Sequence, residues 1–243
     1  MRKTLFKLGA SALGLSLLIS GLNTSCIATG NSNTAYDSNT YTGQAEQKIS
    51  DTVNQIKQKS YQKLSQQEIQ DILYLREEEK LARDVYLEMY DLYKRRVFGN
   101  IARSEQRHMN AVKYLIDLYG LPDPVAETGD RRGVFKNAEL QKLYNDLVAK
   151  GRKSLKDALE VGAIIEEVDI ADLEEKKTHT NNPIILRVYN NLERGSENHL
   201  RAFVKNLEWL GYSYQPQYLS PEKFNEIISS NPFKGRGRGR GHH

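Results

Sequence analysis

Glu105 and His108 stand three residues apart in the stretch Ser104-Glu105-Gln106-Arg107-His108. On a helix this spacing sends a carboxylate and an imidazole out of the same face, one turn apart, where both can reach a single metal ion. Their companions on that face are Ile101, Val112, Leu115 and Tyr119, so the pair points inward among apolar side chains. The same count at about 100° per residue finds three more inward polar groups. Glu166 shares a stripe with Leu155, Leu159, Gly162, Asp169 and Leu173. His199 lies in the middle of Val188, Leu192, Gly195, Ser196, Phe203 and Leu210. Glu79 falls among Ile72, Leu75, Ala82, Tyr86, Tyr90 and Tyr93, while Glu78 sits on the flank of Leu81, Val85 and Leu92. Periodicity alone leaves both glutamates open.

Singly, each of these residues has an ordinary explanation, as an edge carboxylate reaching water or a satisfied core histidine. Three or four unpaired carboxylates in one core would each cost several kcal/mol. Such groups persist when they shift their pKa, pair with a buried cation (Arg83 is the nearest on its helix), or bind metal. Oxygen-rich ligands with a few imidazoles suit iron, as two ions or one, or manganese. The absence of thiolates argues against a structural zinc site.

These residues must be positioned by helices. Ser65-Gln-Gln-Glu68 is a capping box, and it opens a long helix expected to run to about Arg95. Gly99 is expected to break it or to mark the turn into the next helix, which ends at Tyr119-Gly120. Residues 121–135 hold two prolines and two glycines and read as a loop. A short helix is expected from Asn137 to about Ala149, closed by Gly151, and a long one from Ser154 to about Lys177. Asn182-Pro183 starts the last long helix, which ends at Leu210-Gly211, and Ser220-Pro221 caps a small one. No stretch alternates with a period of two for long enough to argue a sheet. The fold class is all-α, a four-helix bundle with short extra helices.

Outside residues 64–212, which hold the bundle, and the short helical region 213–233, the chain changes character. Arg2, Lys3 and Lys7 precede an apolar run that is short for a membrane span and suited to an export signal. Cys26, the only cysteine, follows directly. This arrangement predicts a lipoprotein-type leader over 1–26, with membrane lipid carried on Cys26 and the protein placed in a bacterial cell envelope. Residues 27–63 read as a flexible polar tether, and the Gly/Arg-rich tail 234–243 as a solvated, unfolded end. Among 243 residues the formal charge is only +4, 39% are hydrophobic and 27% charged, and mean hydropathy is −0.64. Much of the positive charge lies at the two ends. That composition excludes a basic nucleic-acid binder and fits a protein with no specific nucleic-acid partner.

The residues in these stripes resemble the ferritin superfamily. Glu79-Lys-Leu-Ala82-Arg-Asp-Val85-Tyr86 looks like the first ferritin helix, in which a metal-ligating Glu precedes a Tyr near the metals; this resemblance selects Glu79 over Glu78. Glu105-Gln-Arg-His108 looks like the second-helix Glu-x-x-His, and Leu159-Glu160-Val-Gly162-Ala-Ile-Ile165-Glu166 is similar to the third-helix segment whose last Glu is a ligand. The pattern from REEEKLARDVY to GSENHLRAF most resembles the uncharacterised domain of unknown function 2202 family. The resemblance implies a ferritin-like di-iron carboxylate protein, binding metal through Glu79, Glu105, His108, Glu166 and His199. It further implies possible oxidation of ferrous ion or reaction with oxygen or peroxide, with Tyr86 in a catalytic or electron-transfer role. The fourth helix departs from the pattern. Ser196-Glu-Asn-His199 has Ser where bacterioferritins and rubrerythrins carry a second Glu-x-x-His. Three carboxylates then face the four charges of two ferrous ions, and Asp169, or Glu160 after a helix rotation, are the residues nearest to closing that gap. A tethered subunit argues against a closed cage and is compatible with a homodimer. The alternative reading is a non-enzymatic surface lipoprotein with a degenerate metal site, acting through partners.

Overall fold

The computed structural model describes residues 63–230. The expected leader with Cys26, the tether up to residue 62 and the Gly/Arg tail lie outside them. The described chain is all-α, without strands: α1 (Gln66–Tyr93), α2 (Arg96–Tyr119), α3 (Pro124–Glu127), α4 (Ala138–Gly151), α5 (Leu155–Thr178), α6 (Pro183–Trp209) and α7 (Pro221–Ser229). None of these helices is long and apolar enough to cross a membrane.

Local chemistry sets the helix starts. The Ser65 hydroxyl accepts from the Glu68 N–H at 3.1 Å while the Ser65 N–H donates to the Glu68 carboxylate at 2.7 Å, closing the capping box. Ser154, Asn182 and Ser220 cap α5, α6 and α7 in the same manner with their side-chain oxygens. Several boundaries differ from the sequence reading. Lys94, at a left-handed φ of 53°, ends α1 and Arg96 already begins α2, so Gly99 lies inside a helix. It is small there because the Tyr90 ring packs against it; a Cβ would sit 3.0 Å from that ring. The 121–135 loop contains α3, since Asp123 accepts from the Val125 N–H with Pro124 in the first turn. Gly151 is the last residue of α4 and does not follow it. Tyr90 and Leu210, placed on inward stripes by periodicity, are both 37% exposed because their helices are ending there.

The four long helices form two hairpins, α1 with α2 and α5 with α6. Asn182 at the start of α6 donates to the Tyr119 hydroxyl at the end of α2 (2.8 Å), and His179 beyond α5 meets Asp71 in the first turns of α1 (2.8 Å). The hairpins therefore pack with neighbouring helices antiparallel, α1 beside α5 and α2 beside α6. The crossover between hairpins carries α3 and α4. Two apolar clusters fill the interior. One gathers Ile72, Leu75, Val112, Leu115, Leu173 and Leu192; the other includes Val85, Phe98, Ile101, Leu159 and Phe203. Along every long helix the inward polar residues fall between these two clusters, so the bundle has a polar layer between apolar ones.

The run Arg76-Glu-Glu-Glu-Lys80 is buried throughout, which no solvated charge run would be. The crossover wraps α1, and these charges tie it down. Arg76 forms two 3.1 Å bonds to Asp123. Glu77 accepts from the N–H groups of Lys136 at 2.6 Å and Asn137 at 3.1 Å. Lys80 pairs with Asp84 and donates to the Arg131 carbonyl. On α5, Glu167 does the same for the segment before α7. It accepts from the Gln217, Tyr218 and Leu219 N–H groups at 2.9 Å each and from the Tyr214 hydroxyl. Glu167→Ala would leave three peptide N–H groups without an acceptor. We expect it to lower stability by about 3–5 kcal/mol, read from urea unfolding; a loss within 1 kcal/mol of wild type would show that water replaces the carboxylate.

Candidate metal centre

The polar layer is built by one turn from each long helix. α2 contributes Glu105 and His108, which point the same way because they are three residues apart. Glu105 is fully buried and its carboxylate spans the interior: Oε2 lies 2.8 Å from His108 Nδ1, and Oε1 lies 2.7 Å from His199 Nδ1 on α6. Glu79 on α1 reaches His108 Nδ1 at 3.2 Å, and Glu166 on α5 reaches His199 Nδ1 at 3.4 Å. The two imidazoles are stacked with centroids 5.3 Å apart. All five residues expected at the site thus meet in one continuous group. Glu105, His108 and His199 form a triad whose ligand atoms lie within 4.8 Å of one another, close enough to hold one metal ion.

His108 Nδ1 and Glu79 Oε2 form a hydrogen bond at 3.2 Å, but the Glu105 contacts do not. Both oxygens of Glu105 and the Nδ1 of His199 lack any aligned partner despite separations of 2.7–2.8 Å. Glu79 Oε1 and Glu166 Oε2 are also buried without a partner. Buried polar atoms are nearly always satisfied, and here five unpartnered carboxylate and imidazole atoms of Glu79, Glu105, Glu166 and His199 gather in one layer. Oxygen and imidazole donors arranged so fit a divalent cation, which accepts from all of them at once. Of the observations in this structure, this one tests the fit most directly, and the residues pass it.

Charge in the layer is balanced by the imidazoles. Burial pushes the Glu105 carboxyl upward, but His199 and His108 outweigh that and hold it well below the usual carboxylate range. Burial raises Glu79 to about 7, although His108 pulls the other way. Glu166 is raised by burial as well. Burial would lower both imidazoles, yet Glu105 and Glu79 push His108 well up, and Glu105 and Glu166 push His199 up to about 10.

The surrounding residues either hold the layer in place or turn away from it. The Tyr86 hydroxyl donates to Glu166 Oε1 at 2.6 Å. Its ring lies 5.1 Å from that of Phe203, so it positions a carboxylate. Glu78 is buried too, with Oε2 lacking a hydrogen-bond partner; its nearest cation is Lys176 at 3.9 Å, whereas Glu79 meets His108. Ser196 is a partner of Asp169, donating to Oδ2 at 2.8 Å and leaving Oδ1 unpartnered; Asp169 is pushed well up by burial and the surrounding carboxylates. Glu160 binds Lys156 at 2.5 Å and does not join the site. Arg83 pairs with Asp84 and Asp130, at 2.8 and 2.6 Å, and not with any carboxylate of the layer. Sequence reasoning missed what Gly195 does. A Cβ there would stand 2.4 Å from His108 Nε2, so α6 is bare where the α2 imidazole enters. The only signal was a glycine one turn before His199. Gly162 makes the matching space for the Phe203 ring, 2.4 Å from where its Cβ would be.

Comparison with known proteins follows the same residues. Residues 68–231 match the family described as "Uncharacterized protein domain (DUF2202)". The uncharacterized protein MJ0754 of Methanocaldococcus jannaschii is 52% identical over 177 residues, covering 73% of this chain and 95% of that protein. The crystal structure of the hypothetical protein MJ0754 from Methanococcus jannaschii DSM 2661 superposes with a TM-score of 0.68 at 54% identity, covering 70% of this chain and 96% of that one.

Two outcomes test this geometry. Gly195→Ala should destabilise by about 1–3 kcal/mol through overpacking, and His108→Ala in the same chain should recover part of that loss in a double-mutant cycle; additive losses would place His108 elsewhere. The pH dependence of the metal-free protein should fall in one direction. Groups whose folded pKa is raised bind more protons folded than unfolded, so their stabilisation is complete below the unfolded pKa and is lost as pH rises through the folded one. For His199 that window runs from about 6.5 to about 10, and for Glu79 from 4.5 to about 7. The melting temperature of chelator-treated protein should therefore drop as pH rises from 6.5 to 10, and His199→Gln should flatten the slope. A rising curve would contradict the charge balance described here.

Proposed function

This chain belongs to the DUF2202 family, and on that footing we propose that its polar layer is a metal centre holding iron, as two ions or one, with manganese as the other metal suited to the donor set. Glu79, Glu105, His108, Glu166 and His199 are the ligands. The observation that carries the reading is the set of buried, unpartnered carboxylate and imidazole atoms converging around Glu105. The resemblance of three helix segments to ferritins supports the same ligand set. Bound iron would supply a redox couple and open positions for ferrous-ion oxidation or reaction with oxygen or peroxide.

Each residue has a role that follows from its contacts. Glu105 presents one oxygen toward each imidazole, the posture of a bridging carboxylate. Glu79 and Glu166 close the site from α1 and α5. Tyr86 holds Glu166 in its rotamer through the 2.6 Å bond, and Ser196 fixes Asp169 as a fourth carboxylate beside the three. With Asp169 included, four negative charges stand against the four of two ferrous ions. The flanking apolar clusters keep water out, which strengthens each charge interaction inside. The expected export, lipid attachment at Cys26 and cell-envelope placement complete the proposal; a homodimer is compatible with it.

The test is thermal melting with chelator and with anaerobic ferrous or manganous ion. A metal that binds the folded state raises stability by about 2.7 kcal/mol at a hundredfold excess over Kd, and the raised imidazoles must release protons as they bind, detectable in weakly buffered solution. Glu105→Ala with His108→Ala should abolish both signals, read against the variant's own metal-free melt. Wild-type melts that ignore metal would end the reading.

A further inference from the structure

At the end of the bundle where α1 turns into α2, a cleft of about 490 Å³ opens between that turn and the last turns of α6. Its wall carries Lys94, Arg95 and Arg96 in succession, and its floor and rim are Val97, Ile101 and Trp209. All three are exposed. Arg95 and Arg96 make no ion pair and no side-chain hydrogen bond among the described residues; the Lys94 ammonium reaches an exposed Asp91 at 3.5 Å and lies 5.5 Å from the Tyr90 ring centroid. Lys94 also holds a left-handed φ of 53°, which glycine would occupy with less strain; a lysine there keeps a charge against local conformational preference. Trp209 is 68% exposed, with Lys205 Nζ 5.3 Å from its ring centroid. Of the seven large exposed hydrophobics among the described residues, Trp209 is the most exposed and it lines this cleft.

Three adjoining cations, two of them unpaired, over an apolar floor with an exposed indole at the rim are complementary to an anion that carries an apolar body. We propose that this cleft binds a phosphate-bearing ligand with an apolar or aromatic portion. The phosphate is held by Arg95 and Arg96, whose planar guanidinium groups match its oxygens, with Lys94 adding charge. The apolar portion lies on Val97 and Ile101 and stacks against Trp209. Its volume falls in the range of small-ligand sites, roughly 300–1,000 Å³. The site is separate from the polar layer, sharing no residue with it. The same chemistry is offered by a nucleotide and by an anionic phospholipid headgroup with the start of its chains, and the experiment separates them.

Trp209 is the only tryptophan in the chain, so its emission reports this cleft alone. The full chain is titrated in parallel with adenosine diphosphate, with a short-chain phosphatidylglycerol below its micelle concentration, with the matching phosphatidylcholine, and with inorganic phosphate. A saturable change with adenosine diphosphate or with phosphatidylglycerol is expected, and which of the two responds names the source. Phosphatidylcholine, whose choline cation offsets the phosphate charge beside three cations, and inorganic phosphate, which lacks the apolar body, should bind at least about tenfold more weakly. Arg95→Ala and Arg96→Ala should each weaken binding by about tenfold with unchanged melting temperature. Lys94→Gly should weaken it while melting at the same temperature or higher. No saturable change with either amphiphile, equal binding by the Arg95→Ala, Arg96→Ala double variant, or inorganic phosphate binding as tightly as both amphiphiles would overturn the proposal.

Discussion

A carboxylate with no exposure, Glu105, lies between two imidazoles from different helices, and the arrangement of the bundle depends on that placement. A lone ionised carboxylate in such an interior would be strongly unfavourable. His108 and His199 hold the Glu105 carboxyl well below the usual carboxylate range despite its burial, and Glu79, Glu105 and Glu166 in turn push the two imidazoles upward. Each of the four long helices supplies a member of this set. Rotating any helix by half a turn would strand a charge, so the polar layer fixes helix rotation where the apolar clusters above and below it would tolerate several packings.

The same economy of buried charge governs the outer faces of α1 and α5. A helix buried on nearly every side needs partners for its polar residues, and the crossover supplies them through Asp123, Asp130 and the N–H groups of Lys136 and Asn137. Glu167 plays the equivalent part for the segment leading to α7. Connections of this length are usually mobile, and here they are held by carboxylates anchored in the helices beneath. The consequence for the site is rigidity: Glu79 sits in the middle of the tied run Arg76–Lys80, so its carboxylate is placed by backbone that cannot easily shift.

Two small residues complete the geometry. Gly195 admits the His108 ring and Gly162 admits Phe203, which lets α6 approach both α2 and α5 closely. Ser196, where the ferritin pattern has a glutamate, binds Asp169 across the helix pair. A buried carboxylate from α5 therefore lies beside the α6 position where that pattern has one.

The sequence by itself determined the helices and most of their inward faces. Ser65, Ser154, Asn182 and Ser220 mark starts because their side chains satisfy the first-turn N–H groups locally. The 3.6-residue period placed Glu105, His108, Glu166 and His199 toward one interior because side-chain direction on a helix is set by position alone, while it left Glu78 and Glu79 open. Tertiary structure decided what periodicity averages away. At their ends, Tyr90 and Leu210 obey the period yet are exposed, since no neighbouring helix extends to cover them. Glu78 and Glu79 differ by one residue, and only the partners facing them, Lys176 for one and His108 for the other, separate their roles. The burial of Arg76–Lys80, the diversion of Arg83 to Asp84 and Asp130, and the pairing of Ser196 with Asp169 all require contacts between residues far apart in the chain. Local rules carry no information about such contacts, because what makes a buried charge tolerable is the partner that the rest of the fold brings to it.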